Sequence, residues 1–241
     1  MKTLDCERCE VRHLTLYGQI PGIESDTWSD KRHRVLSVPA RRPVVQAGRH
    51  PGAYYVLRDG WAFRYLITSG GARQIVWFHL PGEALTPLIG AANEYPTLAL
   101  TDCVVCVLEA DAVLCRLART CDALRNAVGY LVSFESSYFE RIAVMGKLSA
   151  IERVANLLGH LQGRLALRGH NVARGFEFPL RNVHVADALG LSPVHVSRVF
   201  AELRARGVVA RHDRRIRILD QAQLDELGRV AGERFLLPPA A

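Results

Sequence analysis

The chain has 241 residues, of which 49% are hydrophobic, enough to bury two cores rather than one. Its 31 lysines and arginines exceed its 24 acidic residues, and the net charge of +7 favours a polyanionic partner. No apolar run approaches the roughly 18 residues of a membrane span, and no secretory signal follows Met1. We therefore expect a cytoplasmic protein with no membrane partner, whose six cysteines are reduced thiols or metal ligands rather than disulfides.

The first part of the chain predicts a β-rich domain over residues 1–121. After a mixed stretch that includes a predicted helix at 24–34, short apolar runs alternate with turn residues. The pair Asp59-Gly60 predicts a hairpin between the two runs that it separates, and residues 97–109 predict one apolar strand. Short strands at this spacing are typical of a small barrel or jelly roll.

A helical pattern follows over residues 122–147. Positions spaced alternately four and three apart over three heptads are apolar except for Glu135, which breaks the pattern, and polar residues flank them. A buried helix within one domain could show the same pattern, but the polar flanks favour an interface with a second helix. We expect a parallel homodimer whose interface contains Leu124, Val128, Leu131, Tyr138, Ile142 and Met145.

Within residues 148–241, the stretch 183–207 predicts two short helices joined by a tight turn. Gly190 can adopt the left-handed conformation that ends the first helix. Ser192 is a good N-cap for the second helix, with Pro193 at its first position. Any two-helix hairpin could look like this, but the pattern is that of a helix-turn-helix, whose second helix enters the major groove of DNA.

A basic hairpin predicted at residues 208–218 strengthens this interpretation. Between Arg198 and Arg217 the chain carries seven arginines and only two acidic residues. A cationic turn beside the second helix is suited to binding phosphate, whereas the helix itself can read base edges. The predicted DNA contacts are Val194, His195, Ser197, Arg198, Arg204, Arg211, Arg214 and Arg215.

The order of these parts resembles the Crp/Fnr family of bacterial transcription regulators. The matching stretches are residues 57–60, 78–83, 150–155, 189–192 and 196–198. The resemblance implies an α+β fold with an N-terminal β-roll (a cupin-like jelly roll), a long dimerisation helix and a C-terminal winged helix-turn-helix. It also implies that an effector in the N-terminal domain controls DNA affinity, and that the partners are a palindromic DNA operator, a second copy of the chain and RNA polymerase.

The resemblance also assigns roles to residues of the second helix. Arg198 matches the family's base-contacting arginine, which can pair with guanine O6 and N7. Many relatives have a glutamate where Val194 stands, so we expect the operator to differ at that step. Valine can offer only an apolar contact, for example to a thymine methyl group.

The sequence indicates the effector of the N-terminal domain less clearly than it indicates the DNA contacts. In the cyclic-AMP branch, an arginine that neutralises the nucleotide phosphate follows Gly-Glu. Here Gly82-Glu83 is present, but Asn93-Glu94 stands at the arginine's place, so we do not expect cyclic AMP to bind. A cyclic-nucleotide-responsive regulator is kept as the competing hypothesis.

The oxygen-sensing branch holds an iron–sulfur cluster on cysteines, and Cys6, Cys9 and Cys106 match three of its ligands. Tyr17 stands where many relatives place a further cysteine. The sequence is also compatible with a thiol switch or a different metal at Cys6 and Cys9, with an unknown ligand, with a haem, and with no effector.

An enzyme is not expected. The sequence shows no nucleophile–base–acid grouping, no phosphate loop and no His-Glu-x-x-His pattern, and Ser192 is explained as a helix cap. A cyclic-nucleotide-binding module without a DNA role is a second class of protein to consider, and the basic hairpin argues against it.

Overall fold

The computed structural model describes Cys9, Val11 and residues 33–46, 52–86 and 95–229. The chain divides into two compact units. The first contains the described residues up to Leu66 together with Val76–Val132, and the second contains Ile67–Ile75 and the described residues from Ser133 onward. The finer division into domains 1–121, 122–147 and 148–241 remains a prediction.

The N-terminal strands form two antiparallel sheets, as expected for a β-roll. One sheet has the order β1-β7-β3 and the other β2-β6-β4-β5. Alternating side chains of both sheets, among them Leu57, Ala62 and Val105, are buried together in one apolar core. The strands are β1 (His33–Val38), β2 (Pro43–Val45), β3 (Ala53–Asp59), β4 (Ala62–Ile67), β5 (Arg73–His79), β6 (Thr97–Ala99) and β7 (Cys103–Glu109).

The turn at Asp59-Gly60 does not connect paired strands, so the predicted hairpin is wrong. It moves the chain from β3 in one sheet to β4 in the other. Gly60 has φ +86°, and a Cβ built on it would lie 2.2 Å from the carbonyl oxygen of Asp102. The backbone N–H of Trp61 donates to Thr101 Oγ1 at 2.8 Å, which fixes this close approach. Glycine is required here by a sheet-crossing corner rather than by a hairpin.

Two other expectations for this domain also need correction. Residues 97–109 form two strands, β6 and β7, which lie in different sheets because the chain turns at residues 100–102. In the predicted helix at 24–34, His33 and Arg34 instead begin β1, and the rest of that stretch lies outside the described residues.

Side-chain caps mark the start of the long helix and of the helix that follows it. Thr120 Oγ1 accepts from the backbone N–H of Ala123 at the start of the long helix α2. Glu152 reaches back to the backbone N–H of Ser149 at 2.7 Å at the start of α3. The helices are α1 (Ala110–Leu117), α2 (Cys121–Lys147), α3 (Ala150–Ala166), α4 (Asn182–Leu189), α5 (Pro193–Ala205) and α6 (Gln221–Gly228).

A small antiparallel sheet accompanies the C-terminal helices. Its order is β8-β10-β9, with β8 at Phe176–Glu177, β9 at Val209–His212 and β10 at Arg215–Ile218. We call the hairpin of β9 and β10 the wing. In the parts of the chain that the structure describes, each helix is too short or too polar to cross a lipid bilayer.

Replacing Gly60 with alanine is expected to destabilise the β-roll by more than the cost of the positive φ alone, about 1–2 kcal/mol. The added Cβ would overlap the Asp102 carbonyl oxygen. Gly71→Ala is the matched control, because Gly71 has φ +81° with nothing within 4 Å of an added Cβ. Urea unfolding followed by tryptophan fluorescence measures both variants, and equal losses would contradict the close approach.

Candidate nucleic-acid interface

The helix-turn-helix forms as its cap residues predict. Gly190 ends α4 with φ +64° and ψ 36°, in the left-handed region. Ser192 is the N-cap of α5, and its Oγ accepts from the backbone N–H of His195 at 3.1 Å. Pro193 is the first residue of α5, where the missing N–H has no intrahelical partner to lose.

Helix α5 has one buried and one exposed face. The inward residues, each no more than 3% exposed, are Val196, Val199, Phe200 and Leu203. On the other face Val194 is 63% exposed although it is apolar. The predicted base-reading residues all lie on this exposed face: Val194, His195, Ser197, Arg198 and Arg204.

The last turn of α4 is capped by side chains from three other elements of the same unit. The carbonyl oxygen of Ala188 accepts from Arg141 Nη2 at 2.8 Å and from Gln74 Nε2 at 3.1 Å. The carbonyl oxygen of Leu189 accepts from Arg153 Nη1 at 3.2 Å. Carbonyls at a helix C-terminus lack intrahelical donors, and cations there complement the helix dipole. These contacts fix the end of α4 from which α5 departs.

The wing carries its cations at an exposed turn. Asp213 has φ +51° at the tip, and Arg214 and Arg215 are both exposed. The backbone N–H of Phe178 donates to the Arg214 carbonyl at 2.6 Å, and Arg215 Nη2 donates to the Gly175 carbonyl at 2.7 Å. The wing is therefore tied to the chain that precedes α4, while the Arg214 side chain faces solvent.

Arg211 is placed differently from the other predicted contacts. Its side chain is half-buried. Nη1 donates to Asn182 Oδ1 at 2.9 Å, and Nη2 donates to the Leu180 carbonyl at 2.8 Å. These bonds turn the guanidinium toward the protein, so the expectation of a phosphate contact at Arg211 loses its support.

Helix α2 has two apolar stripes. The inner stripe is buried and consists of Ala123, Ala127, Tyr130 and Val144 together with Ser137. The outer stripe is exposed, and Ile142 in it is 68% exposed. The members of the outer stripe are Leu124, Val128, Leu131, Val132, Phe139 and Ile142. Exposed apolar patches of this kind are typical of interaction surfaces.

Two predicted interface residues lie beside the outer stripe rather than in it. Tyr138 and Met145 are half-buried, and Met145 Cε is 3.1 Å from where a Cβ on Gly190 would stand. Phe139, 63% exposed, takes the place of Tyr138. The heptad pattern used for the prediction has a period of 3.5, whereas a straight helix has 3.6 residues per turn, so the two drift apart along the helix.

The N-terminal thiols lie in different surroundings. Cys103 and Cys106 are on opposite faces of β7, with Cys103 buried and Cys106 half-buried. Cys103 Sγ donates to the Trp61 carbonyl at 3.2 Å, and burial together with nearby Asp59 raises the pKa of this thiol to about 12. Cys103 is therefore a core residue.

The described residues do not complete a site for an iron–sulfur cluster. Of the predicted ligands, Cys9 and Cys106 are half-buried, and Cys6 lies outside the described residues. Within the described ranges, three or more His, Cys, Asp or Glu side chains nowhere gather closely enough to hold a metal ion. A cluster needs four ligands, and the residues that the structure describes do not supply them.

Glu83 is engaged by the β-roll itself. It is buried, and its Oε2 accepts from Trp77 Nε1 at 3.1 Å and from the Leu80 backbone N–H at 3.4 Å. His79 Nδ1 lies 3.8 Å from the same oxygen. The β-roll thus already uses part of the hydrogen-bonding capacity of this carboxylate. The expectation that cyclic AMP does not bind stays a prediction.

Residues 152–227 match the family model of the Crp-like helix-turn-helix domain. The anaerobic regulatory protein of Haemophilus influenzae is 28% identical over 227 residues, 93% of this chain and 88% of that protein. The transcriptional activator protein FnrA of Stutzerimonas stutzeri is 28% identical over 223 residues, 91% of this chain and 90% of that protein. The structure of FixK2 from Bradyrhizobium japonicum has the same fold, with a TM-score of 0.75 at 22% identity, over 83% of this chain and 99% of that one.

The β-roll, the long helix and the helix-turn-helix with its exposed α5 thus define a DNA-binding transcription regulator. Its residues 152–227 match the Crp-like helix-turn-helix domain, and over more than nine-tenths of its length the chain is similar to Fnr-like regulators of the Crp/Fnr family.

The raised pKa of Cys103 predicts its reactivity. With a pKa of about 12, roughly one Cys103 thiol in ten thousand is ionised at pH 8, and the thiolate is the reactive form. An alkylating reagent at pH 8 is expected to label the exposed Cys115 and Cys121 in the folded protein and to leave Cys103 unlabelled until urea is added. Peptide mass spectrometry measures this, and labelling of all three at one rate would contradict the burial of Cys103.

Proposed function

We propose that this chain binds a palindromic DNA operator as a homodimer and regulates transcription in response to a signal at its N-terminal domain. The observation that carries the proposal is the exposed face of α5, which bears Arg198 and Ser197 near its N-terminal end while the opposite face is buried. A helix presented in this way can enter the major groove with its first turns at the base edges. RNA polymerase is the expected protein partner in the cytoplasm.

We propose that α5 reads the DNA bases and that the wing contacts the phosphate backbone and so fixes the position of the protein along the duplex. The Arg198 guanidinium can donate two parallel hydrogen bonds to guanine O6 and N7, and the exposed Val194 can contact a thymine methyl group. Ser197, His195 and Arg204 share this face. Arg214 and Arg215 are exposed cations at the wing turn and are proposed to contact phosphates, which fix register without reading sequence.

Dimerisation is proposed through the outer stripe of α2. Its six exposed apolar residues lie along one side of a 27-residue helix, where the exposed Glu135 interrupts them. A second copy of the same stripe is the complementary occupant, because a two-fold interface places the same residues on both sides. A dimer also presents two copies of α5 to half-sites one DNA turn apart.

The signal is proposed to be redox, oxygen or a small ligand rather than a cyclic nucleotide, because Glu83 is engaged by Trp77. Cys6, Cys9 and Cys106 are the thiols proposed for a metal or a thiol switch. An anaerobic preparation assayed for iron and sulfide distinguishes a cluster-binding domain from one that senses without a cluster. A regulator that binds DNA independently of any effector is the competing hypothesis.

Replacing Arg198 with alanine is expected to abolish operator preference and to leave weak, salt-sensitive binding. The lost bidentate contact is worth about 1–3 kcal/mol of discrimination in each half-site, whereas the phosphate contacts of the wing remain. Fluorescence anisotropy with duplexes selected by the wild-type protein measures the preference. Arg206→Ala is the control, since Arg206 lies at the opposite end of the same helix, paired with Glu202. Unchanged selectivity of the Arg198 variant would mean that another face reads the bases.

Replacing Ile142 with glutamate is expected to convert the dimer to a monomer at micromolar concentration, because the interface would then have to bury two carboxylates without partners. Light scattering measures the mass. Ser136→Glu is the control, because Ser136 is exposed on α2 outside the outer stripe. A wild-type monomer, or an Ile142 variant that remains dimeric, would rule out this interface.

A further inference from the structure

The guanidinium of Arg211 is held by four groups from three segments that precede the wing. Nη1 and Nη2 donate to Asn182 Oδ1 and to the Leu180 carbonyl. The guanidinium carbon also lies 4.6 Å from the ring centroid of Phe200 and 5.3 Å from that of Phe178. Asn182 is the first residue of α4, and Phe200 belongs to the buried face of α5.

These contacts use properties that arginine has and lysine lacks. The planar guanidinium can direct two N–H donors at the Asn182 amide oxygen and the Leu180 carbonyl while it lies against the aromatic rings of the two phenylalanines. Phe178 and Phe200 are nearly fully buried and pack edge to face at 6.1 Å. Burial, together with the nearby Arg204, lowers the pKa of Arg211. A cation aimed at a DNA phosphate would instead be exposed, as Arg214 is.

We infer that Arg211 is a positioning residue, which fixes the wing against α4 and α5 so that the phosphate contacts and the base contacts share one register. The inference rests on the proposed DNA-binding function. It assigns Arg211 to positioning the wing, in contrast to Arg214, whose exposed side chain can reach phosphate.

The salt dependence of DNA binding separates the two roles, because each phosphate contact contributes about 0.9 to the slope of log K against log[salt]. In a dimer, Arg214→Met removes one contact per protomer and is expected to lower the slope by about 2. Arg211→Met is expected to weaken binding to the selected operator at least tenfold and to leave the slope unchanged. Arg211→Lys keeps the charge. We expect it to lose as much affinity for the operator as Arg211→Met, because lysine cannot make both hydrogen bonds and lie against the two phenylalanine rings.

Hydrogen exchange without DNA gives a second readout. Arg211→Met and Arg211→Lys are expected to speed exchange of the backbone amides of β9 and β10. They are also expected to speed exchange of the Phe178 N–H, which donates to the Arg214 carbonyl. Arg214→Met is expected to leave these exchange rates unchanged. Wild-type affinity for Arg211→Lys, a slope lowered by about 2 for Arg211→Met, or unchanged exchange in both would overturn the inference. If the wild-type protein bound no duplex at low salt, the DNA-binding proposal would fail, and the exchange rates would still decide whether Arg211 holds the wing.

Discussion

Burial of one face of α5 is the constraint on which the DNA-binding part of the molecule depends. Val196, Val199, Phe200 and Leu203 together fix the rotation of the helix about its axis, and this rotation decides which residues face outward. Truncating one such side chain to alanine costs about 2–5 kcal/mol, a large share of the stability of a small domain. The turn at Gly190, the cap at Ser192 and the contacts of Arg211 all act to hold this one helix.

The helix-turn-helix could be predicted from the sequence because its determinants are local. Gly190, Ser192 and Pro193 occupy positions whose chemistry follows from the nearest backbone groups, and the structure has them in those roles. The Asp59-Gly60 turn shows the limit of such reasoning. The same dipeptide serves a hairpin or a corner between sheets, and only the approach of Asp102, 42 positions later in the chain, distinguishes the two.

The exposure of the candidate site residues was predictable where it follows from helical spacing, and it was not where it depends on distant neighbours. Arg198 could be placed on the outer face of α5 from the pattern of apolar residues. The sequence does not distinguish Arg211 from Arg214. In the structure the Arg211 side chain packs against Phe178 and Phe200, whereas the Arg214 side chain is exposed to solvent. On α2 the heptad residues Leu124, Val128, Leu131 and Ile142 lie in the exposed apolar stripe, whereas Tyr138 and Met145 lie beside it, because the heptad period drifts relative to a straight helix.

Strand β7 lies between β1 and β3. Its residues Cys103–Leu108 pair with His33–Val38 on one side, and its residues Val104–Glu109 pair with Ala53–Asp59 on the other. Until β7 has been synthesised, β1 and β3 have no strand to pair with in this sheet. Pairing across so many residues makes folding slow. The β-roll therefore forms only after nearly half of the polypeptide has been synthesised, and the segments made first are those exposed longest to aggregation and to chaperones.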